Sequence, residues 1–211
     1  MAGCNRSTTQ RIECSREYNS SLMLRKVAFG IKHSKESYSA FLWACANLVQ
    51  LNDTVFLVHV YQKDNILDDG GFLEACAVIT QYEDSCRRQR LKYRSLVVPG
   101  NPAEKIAALA SFHQFDLVIL GSKRRNHLVR TLLGCTASAI SQRCPCPTMV
   151  IKQPKDEAGA YLRTFPRRIC LHADDSAAAR AALDWAAAAL FQPGTDEAIL
   201  VHTQAPLPPP A

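Results

Sequence analysis

The sequence lacks the long apolar segments of a membrane-spanning chain. Apolar runs such as 117–120 and 148–151 have the length of a β-strand, far short of the roughly 20 residues that a membrane helix needs. The first 20 residues are polar and contain no apolar core of a secretory signal, and Glu13 and Glu17 argue against a transit peptide. We therefore predict a cytoplasmic protein that does not associate with membranes, with a disordered tail at 1–21.

The cysteine pattern excludes the usual metal and disulfide scaffolds. None of the 9 cysteines belongs to a CxxC pair or to a zinc-ligand spacing. Cys144 and Cys146 flank Pro145, too close together for an ordinary four-ligand site without distant partners. We interpret the cysteines as reduced, mostly buried thiols of an intracellular protein.

The sequence also lacks recognisable catalytic groupings. No paired carboxylates and no nucleophile–base pair stand out, and the Walker and dinucleotide-binding spacings are absent. His33, His113 and His127 are isolated, so we interpret them as ordinary surface or helix histidines. The formal net charge of +6 is modest, and the basic cluster at 87–94 fits the solvated end of a helix. We predict neither an enzyme, nor a metal site, nor a specific nucleic-acid partner.

From residue 26 the sequence alternates strand-length apolar segments with amphipathic helical segments. We predict strands at 27–31, 54–60, 95–98, 117–120 and 148–151. Ser34 and Asn101 are placed to cap two of the helices between them. The second helix has apolar positions that step by three and four, namely Phe72, Cys76, Ile79, Tyr82 and Cys86. This alternation predicts an α/β fold, a doubly wound five-stranded parallel sheet with helices on both faces.

The chain then begins the same pattern again. Four residues recur at a constant offset: Ser34, Ala40, Trp43 and Ala44 return as Ser176, Ala182, Trp185 and Ala186. The motif FLVHV at 56–60 is also echoed by ILVHT at 199–203. We therefore predict a complete domain at 22–153, a linker at 154–166, a partial β-α-β repeat at 167–204 and a proline-rich tail at 205–211. Two strands and one helix are too few to close a sheet alone.

One loop has the features of an anion site. Gly121 and Gly134 bracket a basic segment that includes Lys123 and Arg124. Gly134 opens a helix whose free backbone amides attract phosphate, and the hydroxyl of Thr136 adds a donor. The residues alone leave two alternatives open, a phosphate site and a merely solvated basic loop.

These segments resemble the universal stress protein family. The likeness covers about 25–152 and resumes at about 168–203. Its most specific parts are DLVILGS at 116–122, LLGCT at 132–136 and CPCPTMVI at 144–151, with support from GNPAE at 100–104. The resemblance implies a Rossmann-like stress-response module that binds ATP or AMP and senses the nucleotide rather than turning it over.

The resemblance also implies which residues bind the cofactor. Gly121 and Gly134 fall on the first and third glycines of the family's phosphate-binding pattern, whereas Arg124 replaces the second glycine. Val60 and Leu120 match positions that line the adenine–ribose pocket of ATP-binding relatives. The predicted ATP-binding residues are Val60, Leu120, Gly121, Lys123, Arg124, Gly134, Cys135 and Thr136.

Three departures from the family pattern keep an alternative open. Lys32 stands where the family has an aspartate that contacts the nucleoside, and Arg124 and Cys135 replace the second glycine and a hydroxyl residue. The alternative is a member that does not bind nucleotide and acts as a dimeric protein-interaction module. For either function the resemblance implies a homodimer formed through the fifth strand, at 148–151.

Overall fold

A computed structural model describes residues 24–62, 70–122, 135–152, 167–192 and 194–202. The chain divides into two compact units. One spans Ser21–Arg163 and is called the first unit here, and the other includes Thr164–Ala211 and is called the repeat unit. The tail predicted at 1–21, the linker at 154–166 and the tail at 205–211 lie outside the described residues. Among the described helices, none has the length and apolar character needed to span a bilayer.

The first unit confirms the predicted α/β fold. Its described residues form β1 Lys26–Ile31, α1 Lys35–Asn47, β2 Thr54–Tyr61, α2 Gly70–Arg88, β3 Lys92–Pro99, α3 Pro102–His113, β4 Leu117–Ser122, α4 Cys135–Arg143 and β5 Thr148–Lys152. The strands are all parallel, in the order β3-β2-β1-β4-β5. Because strand side chains alternate between faces, this order buries one core under α1 and α2 and another under α3 and α4.

The helix caps follow the sequence pattern closely. The Ser34 hydroxyl accepts a hydrogen bond from the Ser37 amide at the start of α1. The Asn101 side chain accepts from the Ala103 amide at 2.9 Å ahead of Pro102 in α3. Each cap satisfies amides that have no partner within the helix itself, which explains why both helices begin where the sequence predicts.

Two sequence expectations need correction. β3 is longer than predicted, because Lys92–Pro99 pairs with β2 along its whole length as the edge strand, where charged residues are tolerated. α2 begins at Gly70 rather than after a Gly-Gly loop. Within α2, Phe72 is 43% exposed, whereas Ala75 is 1% exposed. Phe72 lies in the first turn of α2, and its ring is 6.2 Å from the ring of Tyr61 at the end of β2.

The repeat unit has the predicted β-α-β pattern. It contains β6 Arg168–His172, α5 Ala177–Trp185, a π-helical turn at Ala186–Leu190 and β7 Glu197–Val201. β6 and β7 form a two-stranded parallel sheet.

A buried ion pair ties together the ends of β1, α1 and β2 in the first unit. Arg25 donates to both carboxylate oxygens of Asp53, at 2.9 and 2.6 Å, and also to the Leu48 carbonyl at 3.0 Å. The Gln50 amide donates to the same carboxylate at 2.8 Å. The side chain of Asp53 is completely buried, so this arrangement supplies the partners that a buried charge requires.

The repeat unit reproduces this arrangement. Arg167 donates to both carboxylate oxygens of Asp196 and, at 2.9 Å, to the Leu190 carbonyl. The Gln192 amide donates to Asp196 at 2.7 Å. The first unit and the repeat unit therefore each contain a β-α-β segment whose ends are joined by the same set of donors and acceptors.

Candidate functional site

The topology places the candidate site at the carboxyl edge of the five-stranded sheet. β1 and β4 are neighbours, but the chain leaves them towards opposite sides of the sheet. Such a divergence opens a crevice outside the strand ends, where parallel α/β sheets bind ligands. α4 runs back from this edge towards the start of β5, so its N-terminus lies at the same edge.

Leu120 and Val60 form an apolar wall at this edge. Leu120 is paired with Gly30 across β4 and β1, and its Cδ2 fills the space that a side chain on Gly30 would need, 2.5 Å from the ideal Cβ position. Val60 packs partly buried against the core cluster that contains Leu120. Both residues predicted to line the adenine–ribose pocket therefore belong to or pack against one core cluster, on two strands that are separated by β1.

Gly121 has a structural reason to be glycine. A Cβ at this position would lie 2.8 Å from the Cα of Ser37 and 2.9 Å from the Glu36 carbonyl oxygen. Both are backbone atoms of the α1 N-terminus, so β4 could not pack as closely against α1 with any side chain here. Gly121 also faces the opposite side of the sheet from Leu120, because neighbouring strand residues alternate. The packing of α1 is thus sufficient to explain this glycine without a ligand.

Lys32 occupies a turn that is held by its backbone. Its amide donates to the Ser37 hydroxyl at 3.1 Å, and its carbonyl accepts from the Ser34 amide at 2.8 Å and from the Tyr82 hydroxyl at 3.2 Å. The residue itself is exposed at the end of β1. A cationic residue therefore stands at the carboxyl edge, at the position where the sequence resemblance implies an aspartate.

The repeat unit carries an aspartate at the corresponding place. Asp174 follows β6, and its Oδ1 accepts a hydrogen bond from the Ser176 amide at 2.9 Å. The hydrogen bonds from Ser176 hold the pKa of Asp174 below its ordinary value, and the neighbouring His172 and His202 act in the same direction. An ionised aspartate is thus compatible with this turn.

The basic loop is only partly described. Cys135 is the first residue of α4, and Thr136 lies partly buried in the first turn of that helix. Lys123, Arg124 and Gly134 lie outside the described residues, as does the side chain of Cys135. Their roles remain predictions from the sequence.

His59 makes a contact at the strand ends that we did not predict from the sequence. Its Nδ1 lies 3.0 Å from the Ile31 carbonyl oxygen, which ties the end of β2 to the end of β1 beside the candidate site. His202 makes the corresponding contact with the Ala173 carbonyl, at 2.7 Å. The signal was present in the sequence, since both histidines occupy the same place in the echoed motifs FLVHV and ILVHT.

Comparison with known proteins gives a consistent result. The sequence model of the universal stress protein family matches residues 23–152. A universal stress protein of Methanocaldococcus jannaschii is 33% identical over 67 residues, covering 32% of this chain and 39% of the relative. One of Mycobacterium bovis is 27% identical over 140 residues, covering 59% of this chain and 47% of the relative. The chain thus spans less than half the length of these two curated relatives.

Among solved structures, a universal stress protein from Archaeoglobus fulgidus aligns with a TM-score of 0.52 and 15% identity. The alignment covers 62% of this chain and 95% of that one. At this level of identity the likeness is one of fold.

Proposed function

Because the chain belongs to the universal stress protein family, we propose that its first unit binds an adenine nucleotide, ATP or AMP, at the carboxyl edge of the sheet. Its role is to sense the nucleotide rather than to catalyse a reaction. The observation that carries this proposal is that two surfaces lie at this edge of the sheet. One is the apolar wall of Leu120 and Val60, and the other is the N-terminus of α4 at Cys135.

The two surfaces suit the two ends of a nucleotide. An apolar wall favours the face of the adenine ring, while the free amides in the first turn of a helix favour phosphate. Thr136 lies in that turn and supplies a hydroxyl. Lys32 adds a positive charge at the same edge, and Lys123 and Arg124 add two more from the loop ahead of α4. The nucleotide is therefore held mainly by its base and phosphates, with few contacts to the ribose.

The test compares adenosine with ATP, using calorimetry on the full chain. We expect the protein to bind ATP more tightly than adenosine, because adenosine lacks the phosphates that the cations attract. Lys32→Asp should tighten adenosine binding about tenfold, since it restores an acceptor for ribose hydroxyls that is worth on the order of 1 kcal/mol. Asp174 occupies the corresponding position of the repeat unit. If neither protein binds either ligand at millimolar concentration, the proposal is wrong.

Two further variants make the test specific. Lys92→Asp changes the charge by the same amount at the opposite end of the sheet, where β3 begins, and should leave both affinities unchanged. Gly134→Asp places a carboxylate directly before α4 and should weaken ATP binding much more than adenosine binding. Equal losses for both ligands would indicate a damaged fold instead of a phosphate site.

A second candidate function is a dimeric interaction module. It is favoured by Lys32 in place of aspartate and by the position of β5, which pairs with β4 and is one of the two edge strands of the sheet. A second copy could extend the sheet across this edge. Light scattering should then show a dimer at micromolar concentration, and Met149→Lys, which places like charges across the paired strands, should convert it to a monomer. A monomeric wild-type protein would remove this candidate.

A further inference from the structure

The connection between α4 and β5 brings two thiols together. α4 ends at Arg143, β5 begins at Thr148, and the intervening residues include Cys144 and Cys146. The Cys144 amide donates to the Ile140 carbonyl at 2.8 Å, so Cys144 is fixed against the last turn of the helix. The Sγ atoms of the two cysteines are 3.8 Å apart.

The local backbone explains this proximity. The chain bends at Pro145 and Cys146 between the helix and the strand, and the ring of Pro145 fixes its φ angle. Both cysteine side chains pack against the core cluster under α3 and α4, which keeps them on the same side of the bend. A disulfide bond is about 2.05 Å long, so the sulfur atoms need to approach by roughly 2 Å.

We propose that Cys144 and Cys146 form a thiol–disulfide site whose substrate is a low-molecular-weight disulfide such as oxidised glutathione. The Cys144 thiolate attacks one sulfur of the small disulfide, forms a mixed disulfide and releases one thiolate. Cys146 loses its proton to solvent and attacks the Cys144 sulfur, which forms the Cys144–Cys146 bond and releases the second thiolate. Both released thiolates take up a proton. The protein loses two protons and two electrons, and one small disulfide becomes two small thiols.

The surroundings of the two sulfurs assign their order of reaction. Burial raises the pKa of Cys146 to about 12, with Cys144 and Asp116 adding to the effect. Cys146 is therefore mostly protonated at neutral pH, which makes it a poor first nucleophile. The part of this rise that comes from Cys144 is removed once Cys144 carries the mixed disulfide, which favours loss of the Cys146 proton in the second step. Once Cys144 carries the mixed disulfide, the short distance between the sulfurs favours attack by Cys146 over attack by a second small thiol.

Other thiols in the first unit provide an internal comparison. Cys45 and Cys86 are buried, and burial raises the pKa of both; Cys86 reaches about 12. We expect these two to stay reduced under the conditions that oxidise the Cys144–Cys146 pair. Cys76 is partly buried in α2, and Cys76→Ser is a matched control that should leave the reaction unchanged.

The experiment uses the full chain equilibrated with mixtures of reduced and oxidised glutathione, alkylated and digested with trypsin. Cleavage after Arg143 and Lys152 releases the peptide 144–152, which contains both cysteines of the pair and no other. With excess oxidised glutathione we expect this peptide to lose both alkylation sites and to be lighter by two hydrogen atoms than its reduced form. Cys146→Ser should instead accumulate a glutathione adduct on Cys144, because it lacks the second thiol.

Three results would overturn the proposal. The first is complete alkylation of both cysteines after equilibration with excess oxidised glutathione. The second is a stable glutathione adduct as the main wild-type product, which would show that Cys146 does not complete the reaction. The third is a disulfide that joins either cysteine to a different part of the chain.

Discussion

The two β-α-β units of this chain share their internal contacts but differ in what surrounds them. In the first unit, β1 pairs with β4 and β2 pairs with β3, and the face of β1 and β2 that looks towards α3 and α4 is buried. Val58 on that face is 1% exposed, whereas its counterpart Val201 in β7 is 39% exposed. Ala28 is likewise buried, and its counterpart Cys170 is exposed. The same local sequence therefore gives the same unit, but only additional strands and helices bury its second face.

This difference separates two kinds of stabilising interaction. The capping serines and the Arg–Asp pairs lie within each unit, so they form in both. Burial of the outer apolar face depends on residues far away in the sequence, so it differs between the two. The tryptophans make the comparison measurable, because the chain has only Trp43 in α1 and Trp185 in α5. Replacing either one with phenylalanine leaves a fluorescence probe for a single unit.

The largest expected effect comes from breaking the buried ion pair. Asp53→Ala leaves Arg25 without its carboxylate partner and should reduce the free energy of unfolding, followed by Trp43 in urea, by about 3 to 5 kcal/mol. The equivalent Asp196→Ala should abolish the cooperative transition followed by Trp185, because two strands and one helix have little stability to lose.

Asp53→Asn is the matched control for this prediction. It keeps the shape of the side chain and one acceptor oxygen, so its effect should be smaller than that of Asp53→Ala. A loss below about 1 kcal/mol for Asp53→Ala would place this pair in the range of exposed salt bridges and contradict its structural role.

The next largest effect concerns the packing of β4 against α1. Gly121→Ala brings a Cβ within 3 Å of two backbone atoms of α1, and we expect a loss of about 1 to 3 kcal/mol in the absence of any ligand. Gly71→Ala is the control, because its Cβ would meet its nearest neighbour at 3.5 Å within a helix. That change should stabilise the protein by about 0.5 to 1 kcal/mol. An unchanged stability for Gly121→Ala would restore a ligand-binding explanation for this glycine.

Removing the N-terminal helix cap should reduce stability by the same amount in both units. The Ser34 hydroxyl accepts from the Ser37 amide at 3.2 Å, and the Ser176 hydroxyl accepts from the Ala179 amide at 3.1 Å. Replacing either serine with alanine should cost about 1 kcal/mol in its own tryptophan transition. A clear difference between the two losses would show that the caps depend on surroundings outside the unit.

The smallest expected effect is a pH dependence of the repeat unit. Burial acts to raise the pKa of Asp196, but hydrogen bonds from Arg167 and Gln192 outweigh it and hold the pKa below its ordinary value. The stability that this carboxylate contributes is present above the unfolded aspartate pKa of about 3.9 and is lost as pH falls through the lower folded value. The urea concentration at the midpoint of unfolding, followed by Trp185, should therefore decrease as the pH is lowered below about 4. Asp196→Asn should flatten this dependence, and an equal slope in that variant would contradict the assignment.

The fold was predictable because its signals are local. Apolar strand-length runs separated by capped helices specify a parallel sheet, and the structure confirms the caps at Ser34 and Asn101. The repeat was predictable from recurring residues. By contrast, the pairing of Arg25 with Asp53 was not predicted, because the two residues are 28 positions apart in the sequence. The recurrence of this pair as Arg167 and Asp196 was the signal that could have revealed it.

The candidate site was predictable only in part. Leu120 and Val60 lie towards the carboxyl ends of parallel strands, which share one edge of the sheet, but their contact with a nucleotide stays a prediction. The packing that requires Gly121 could not be foreseen, because it depends on a long-range approach of α1 that no local pattern encodes. Lys123 and Arg124 remain sequence predictions, and so does the nucleotide that they would contact.

The turn after β1 is held by hydrogen bonds that do not involve the charged group of Lys32. The hydrogen bonds described for this turn use the backbone of Lys32 together with Ser34, Ser37 and Tyr82, and the equivalent turn in the repeat unit accommodates an aspartate. A substitution that reverses the charge at this edge therefore leaves the backbone hydrogen bonds of the turn in place. The charge at this edge and the stability of the sheet are therefore set by different parts of the same turn.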